Sequence, residues 1–432
     1  MAALKLAYVG GGSTRAAGTV ASLLERAKGF AGSEVVLIDL DEERLDLIRR
    51  FAERLARSKG AEVSFTATTD RRSGLTDCDA VLTAFRPGGF EARIVDERVP
   101  LKHDVIGQET QGPGGFFMAL RSIHVMAAIC QDIQAVCPNA RVFNYTNPVN
   151  IVSQAIASHT DVAITSFCEG PIIFPRFLAT AAGLDPDALE TTMVGVNHNC
   201  WSVEHTYQGR DLIETIRHDY EELLGRPGLT KLQERMLRLA VTMDAVPSEY
   251  FQYYYFGDEI LAELKAKPTT RAEDILARVP DYWQHYREQA NADAPELDPS
   301  RSRGGIHELE LALDAIDSLF NDKGEVLPAN VLNTGRPAAG FDERVVVELP
   351  CRVSQAGFEP IPQPELPAHL RGLVEMLAEY QVAAAEAAWS GDRRAAIRAL
   401  AANPLVMSLP KAEAIYAEMA HALSPLLPER LR

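Results

Sequence analysis

Tryptophan and cysteine are scarce in this chain, with three Trp and six Cys among 432 residues, and aromatic residues make up only 7%. The cysteines, at positions 78, 130, 137, 168, 200 and 351, are scattered with no C-x-x-C spacing, which fits reduced thiols rather than a disulfide framework. Positive charge is also short. Lys and Arg number 43 against 60 Asp and Glu, a net charge of −17 that argues against nucleic acid or an anionic membrane as partner. A small anionic ligand stays compatible, because a local arginine cluster can bind phosphate inside an acidic protein. The first nine residues read as a short strand running into glycines, not as a secretory signal, and no apolar run approaches a membrane span. No internal repeat and no low-complexity tail is present. These absences predict a cytoplasmic protein with neither a nucleic-acid nor a membrane partner.

A hydrophobic fraction of 47% is ample for a packed core, and the length predicts two domains or one large α/β unit. Strand-like segments at 4–9, 35–39, 63–68, 80–85, 140–145, 163–168 and 193–198 alternate with helical patterns at 14–27, 42–58 and 117–136. That alternation predicts an α/β fold with a parallel sheet covered by helices on both faces. Beyond about residue 200 strand signals thin out, and helical stretches are expected near 207–239, 271–289 and 307–320. A polar stretch at 291–303 reads as an exposed loop, and 344–353 as β-rich before Ala-rich helices close the chain. The division is placed at 1–198 and 199–432, without a clean linker.

Tyr8-Val9-Gly10-Gly11-Gly12-Ser13 joins the first strand to the first helix. Glycines there let the backbone approach a pyrophosphate at a helix N-terminus. A strict dinucleotide fingerprint would place another Gly at 15, where this chain has Arg15, and a purely structural tight turn fits the glycines too. Asp39, at the tip of the second strand, can hold ribose hydroxyls and favours NAD over NADP, whereas Asp41 can equally cap the next helix. Further on, Ser166-Phe167-Cys168-Glu169-Gly170-Pro171 and Gly195-Val196-Asn197-His198-Asn199 offer a thiolate and an imidazole. A soft sulfur and a borderline nitrogen suit a first-row divalent metal with positions left for substrate, although buried Cys and satisfied His are ordinary in strands.

Taken in order, the motifs resemble glycoside hydrolase family 4. They are Gly10-Gly11-Gly12-Ser13, Arg86-Pro87-Gly88-Gly89 with Arg93, Ile106-Gly107-Gln108-Glu109-Thr110, Gly114-Gly115 and Asn144-Tyr145-Thr146-Asn147-Pro148. Cys168, Gly195-Val196-Asn197-His198, Tyr250-Phe251-Gln252-Tyr253-Tyr254, Arg303-Gly304-Gly305 and Asn403-Pro404-Leu405 continue the match. The tract 107–115 resembles the 6-phospho-β-glucosidase branch in particular. The resemblance implies a Rossmann-type NAD-binding domain like that of the lactate and malate dehydrogenases, followed by an α+β substrate domain. It implies NAD and a divalent metal, usually manganese, as cofactors, a sugar phosphate as substrate, and a homodimer or homotetramer.

By the same resemblance Cys168 and His198 hold the metal, Tyr250 is the catalytic base, Arg93 and Arg271 bind the sugar 6-phosphate, and Asn147 and Asn197 line the sugar site. The reaction implied is redox-assisted elimination, an exception to the usual two-carboxylate glycosidase. Hydride leaves C3 for NAD⁺, the ketone acidifies the C2 hydrogen, the C1 leaving group departs, water adds and the hydride returns. Without the resemblance, Tyr250 and Tyr253–Tyr255 read as an aromatic core face, and Arg93 and Arg271 as surface ion-pair partners.

Three tracts depart from the pattern. Glu169 follows the metal cysteine where the β branch has Asn, the α branch Asp, and several enzymes on non-phosphorylated sugars His. A carboxylate there can serve as general acid, join the metal shell or cap the following helix. Ile306-His307-Glu308 replaces a Tyr-Ser pair, and Thr14-Arg15-Ala16 lacks the usual aromatic and proline. These changes bear on sugar identity, anomeric preference and the phosphate requirement. A rival expectation from another class is an NAD-dependent dehydrogenase of hydroxy acids or sugars on the same nucleotide domain.

Overall fold

Six short strands, β1 (Lys5–Val9), β2 (Glu34–Ile38), β3 (Ser64–Thr68), β4 (Ala80–Thr83), β5 (Arg141–Asn144) and β6 (Ile164–Ser166), pair in the order β3-β2-β1-β4-β5-β6. Every pair among them is parallel. The computed structural model describes residues 3–303 and 310–432. The 304–305 glycines and the 306–308 departure therefore lie outside the described residues.

The central strands are near-continuous apolar runs because both of their faces are covered. Strand parity then sorts the side chains. Leu6, Tyr8, Val35 and Leu37 join one core, with helices Ala16–Glu25 and Glu42–Lys59, while Ala7, Val9, Val36 and Ile38 join another, with helix Gly112–Val136. Helix Glu42–Lys59 starts where the Asp41 carboxylate accepts from Arg44 N at 3.0 Å and stops at Gly60, whose φ is 62°. Asp41 is thus the cap, and Asp39 remains for other work.

Helix Gly112–Val136 begins five residues before the predicted position 117, because Gly112 takes φ 60° and Pro113 suits a first turn. By length and composition it is apolar enough to cross a membrane, contrary to the sequence reading, but 78% of its most apolar stretch is buried inside the protein. It is a core helix.

Six further strands extend the same sheet. They are β7 (Leu189–Val196), β8 (Asn199–Tyr207), β9 (Arg210–Asp211), β10 (Glu325–Leu332), β11 (Val346–Ser354) and β12 (Gly357–Pro360). Past β6 the order is β10-β11-β7-β8-β9, antiparallel, with β12 beside β11. The 198/199 division falls in the turn between β7 and β8, within one continuous sheet. The predicted strand 193–198 starts earlier and stops at Val196, since His198 turns the chain with φ 67°.

The predicted helix 207–239 is not continuous. Strands β8 and β9 run to Asp211, and helices Leu212–His218, Tyr220–Leu224 and Lys231–Met243 follow, interrupted around Pro227 and Gly228, whose φ is 84°. Helix Arg271–Gln289 forms as predicted, opened by a capping box between Thr270 and Glu273. The predicted loop at 291–303 contains a single turn, Pro299–Arg301.

Candidate active site

The carboxyl ends of β1, β2, β5 and β6 deliver the sequence-predicted residues to one side of the sheet, where open α/β sheets bind ligands. At the end of β1, Gly10 has φ 104°, and a Cβ there would lie 2.2 Å from Ala84 O. Gly10 N and Gly11 N both donate to Ile38 O, at 2.9 and 3.1 Å. Gly12 N donates to Asp39 Oδ2 at 2.9 Å and Leu40 N to Asp39 Oδ1 at 2.7 Å. The acid is pinned at the strand tip with lone pairs left on both oxygens. Helix Ala16–Glu25 opens without a side-chain cap, and the buried Ser13 Oγ has no hydrogen-bond partner among the described residues. A tight glycine turn, an uncapped helix N-terminus and an unpaired hydroxyl fit the pyrophosphate of a dinucleotide, with Asp39 on its ribose.

Cys168 lies just past β6, and Gly170 N donates to its sulfur at 3.4 Å. Burial pushes this thiol up, with Glu348 and Glu169 adding to the effect, while bonds from Gly170 and from the Asn197 side chain oppose it. His198, in the β7–β8 turn, is buried with Nδ1 3.0 Å from Thr110 Oγ1, and burial brings the imidazole down to about 4. Its ring stacks on Tyr250. Burial, then Glu249, Cys168 and Glu109, push the Tyr250 phenol well above its usual value, so the chain's own groups do not favour the phenolate.

Asn197 Nδ2 donates to Glu348 Oε1 at 3.0 Å, whereas its buried Oδ1 has no partner among the described residues. Asn147 follows β5, its carbonyl accepting from Ser122 Oγ at 2.9 Å. Among the described residues there is no group of three or more His, Cys, Asp or Glu able to hold a metal. One sulfur, one imidazole and the unpaired Asn197 oxygen nonetheless form a donor set that suits a first-row cation whose shell a substrate completes.

Arginines line the flank of the site. Arg93, in helix Gly89–Lys102, donates to Glu97 Oε1 at 2.6 Å and pairs with Glu109 Oε2 at 2.7 Å, and Arg86 pairs with the same Glu109 oxygen at 2.8 Å. Burial pushes the Glu109 carboxyl up, but Arg86, Arg93, Arg15 and Arg303 outweigh it and bring it down to about 2. Glu97 Oε2 also accepts from Ala272 N at 2.9 Å, tying Arg93 to the start of the helix that carries Arg271. A cavity of about 280 Å³ is lined by Arg15, Arg93, Glu109, Arg271, Arg278 and Arg303. The structure thus brings Arg93 and Arg271 together and adds Arg15, Arg278 and Arg303, to which the sequence reading gave no binding role. Arg15, standing where a fingerprint glycine was expected, was the available signal.

Glu169 sits at the N-cap of helix Gly170–Ala182, yet its side chain makes no capping bond. It accepts instead from Tyr145 Oη at 2.8 Å and from Leu311 N at 3.3 Å. Burial brings this carboxyl up to about 7 against the bonds from Tyr145 and Leu311. Of its three sequence readings, the helix cap is not performed by its side chain. Thr110, Ser248 and Glu348 support the site through other residues and were not singled out from sequence.

Residues 5–184 match the family model described as family 4 glycosyl hydrolase, and residues 193–406 match that of its C-terminal domain. The chain is 33% identical to a probable 6-phospho-beta-glucosidase of Bacillus subtilis (strain 168), over 99% of this chain and 98% of the relative. It is 29% identical to the 6-phospho-beta-glucosidase of Escherichia coli (strain K12), over 98% and 96%. Among solved structures, a 6-phospho-alpha-glucosidase from gut microorganisms in complex with NAD and Mn²⁺ superposes with a TM-score of 0.87 at 25% identity, covering 99% of this chain and 100% of that one. The malate dehydrogenase of Plasmodium falciparum shares the fold, with a TM-score of 0.55 at 12% identity over 90% and 99%.

Proposed function

Because the chain belongs to the family 4 glycosyl hydrolases, we propose that it hydrolyses 6-phospho-β-glucosides by NAD-dependent elimination and addition, with no net redox change. The carrying observation is the stack of Tyr250 on His198 beside Cys168, which sets a phenol oxygen next to a soft donor pair. When bound, NAD⁺ supplies reversible hydride removal at C3 of the sugar, and a divalent cation, manganese, supplies Lewis-acid stabilisation of the enediolate.

The chain's residues then divide the remaining work. Gly10, Gly11, Gly12, Ser13 and Asp39 hold the dinucleotide, and Cys168 and His198 hold the cation. Tyr250 Oη accepts the C2 proton. Glu169, steadied by Tyr145, is the group within this reading that protonates the leaving oxygen. Arg93 and Arg271 take the 6-phosphate, for which planar guanidinium groups suit bidentate contact. Asn147 and Asn197 orient the sugar hydroxyls. The nucleotide residues come from 1–198 and Tyr250 and Arg271 from 199–432, which is the sense in which the division into a nucleotide domain and a substrate domain is kept. A cytoplasmic homodimer or homotetramer completes the reading.

The test is a panel of nitrophenyl glycosides, α and β, with and without a 6-phosphate, assayed with NAD⁺ and Mn²⁺ under reducing conditions. Preference for the β 6-phosphate without accumulation of NADH is expected. NADH rising in proportion to product would mean a dehydrogenase, and preference for the α series would transfer the reading to the 6-phospho-α-glucosides.

A further inference from the structure

Gln108, Thr110 and His198 form a short relay whose hydrogen positions follow from its geometry. Gln108 Oε1 lies 2.6 Å from Thr110 N and 2.8 Å from Gln111 N. Backbone N–H groups only donate, so this atom is the amide oxygen and not its nitrogen. The Thr110 hydroxyl lies 3.0 Å from the same oxygen. An amide oxygen only accepts, so the bond between these two atoms uses the single hydroxyl proton. The other neighbour of Thr110 Oγ1 is His198 Nδ1, also at 3.0 Å, and the hydroxyl can offer it only a lone pair. With the hydroxyl proton on Gln108, Nδ1 is the atom that carries the hydrogen. In the neutral ring that leaves the lone pair on Nε2.

We propose that Thr110, aligned by Gln108, is a positioning residue that fixes His198 in the Nδ1–H tautomer and so presents the Nε2 lone pair to a divalent cation. This rests on the assignment of His198 as a metal ligand in the proposed function. Metal-binding histidines commonly owe their orientation and tautomer to the partner of the other ring nitrogen. Here that partner is a hydroxyl whose direction is itself imposed.

The relay is held from three sides. Tyr250 fixes the plane of the imidazole, 3.8 Å away and 5° from parallel. Ser248 Oγ donates to the His198 carbonyl at 2.6 Å, securing a residue whose φ of 67° is uncommon for a side chain of this size. The loop bearing Gln108 and Thr110 is packed against the neighbouring backbone. A Cβ at Gly107 would lie 1.8 Å from Glu97 O, one at Gly114 2.2 Å from Gln108 O, and one at Gly115 2.3 Å from Thr110 C. These glycines let the loop seat closely against its neighbours. The tract that resembles the phosphoglucosidases thereby acquires a physical task at two of its positions.

The experiment uses full-length wild type, Thr110→Val and Thr110→Ser, labelled with ¹⁵N-histidine and treated with EDTA. His198→Ala identifies the His198 signal among the ten histidines. The wild-type signal should show the proton on Nδ1. Thr110→Val keeps the shape but removes the acceptor. Its Mn²⁺ affinity, read from the EPR signal of free Mn²⁺, should fall about 10–100-fold, with NAD⁺ affinity retained. Thr110→Ser should bind Mn²⁺ within a few-fold of wild type. A wild-type proton on Nε2 would overturn the proposal, as would Thr110→Val binding Mn²⁺ as tightly as wild type. Failure of wild type itself to bind Mn²⁺ would sink the metal reading instead, and the NMR result would still decide the tautomer.

Discussion

The rings of His198 and Tyr250 lie face to face, 3.8 Å between centroids and 5° from parallel. Ser248 joins their backbones, donating to the His198 carbonyl at 2.6 Å and accepting from Tyr250 N at 3.2 Å. A residue after β7 and one from a separate turn are thus made a single unit. Tyr250→Phe keeps the stack and removes only the phenol oxygen. The prediction is a fall in kcat of about 10²–10⁴-fold, the usual worth of a positioned base, with thermal melting close to wild type. Near-normal kcat would remove Tyr250 from the role of base.

Arg93 and Arg271 share a cavity but are not equivalent targets. Arg93 is 6% exposed and clamped by Glu97 and Glu109, so its removal would strand buried carboxylates. Arg271 is exposed at the start of its helix. Arg271→Ala should lower kcat/KM for the 6-phosphate substrate by about 10–100-fold, the worth of one charge-assisted contact, and leave a plain glucoside nearly unchanged. Equal losses on both substrates would argue against phosphate recognition.

Asp96 and Arg121 form a fully enclosed pair, with side chains 0% and 1% exposed and contacts of 3.0 and 2.6 Å. Arg121 Nε also reaches Pro87 O, at the long distance of 3.4 Å, so the pair supports the loop preceding the Arg93 helix. Asp96→Asn leaves a buried guanidinium uncompensated and should cost about 3–5 kcal/mol in a denaturant titration. A loss within experimental error would show that the pair is dispensable.

Glu348 is 1% exposed, accepts from Asn197 and from Asn330 Nδ2 at 3.0 and 2.8 Å, and is brought by burial up to about 7. Unfolded, its carboxyl returns to about 4.5. Between those values the folded chain holds a proton that the unfolded chain has released. Stability should therefore be highest from this group below pH 4.5, decline as pH rises towards 7, and level off above. The span is on the order of 3 kcal/mol. Chemical denaturation of EDTA-treated protein from pH 5 to 8, compared with Glu348→Gln, isolates it. The variant should show the flatter profile, and parallel profiles would count against a proton held at Glu348.

What was legible in the sequence follows the physics of each feature. Strands β1, β2 and β4 are covered on both faces, so their side chains spell apolar runs. Strand β10 carries Pro328 and the buried Asn330, and β12 is four residues long, so neither shows a clear strand pattern. Cys168 and His198 stood out as a candidate donor pair because their motifs are local, whereas Tyr250 stood out only through the family resemblance, its run of tyrosines reading otherwise as a core face. Glu348 and Ser248 were not, since each acts through a partner far away in the chain, Asn197 at 151 residues and His198 at 50. Glu169 was legible as an anomaly but not as a partner of Tyr145, 24 residues earlier.

The central claim is that the glycosidic bond is broken by elimination after transient oxidation, and hydrolysis in D₂O tests it most directly. With NAD⁺ and Mn²⁺ present, glucose 6-phosphate released from its β-nitrophenyl glycoside should carry deuterium at C2 by NMR, with no NADH accumulating. Product with only hydrogen at C2, formed at the full rate, would contradict the account and point to direct displacement at C1.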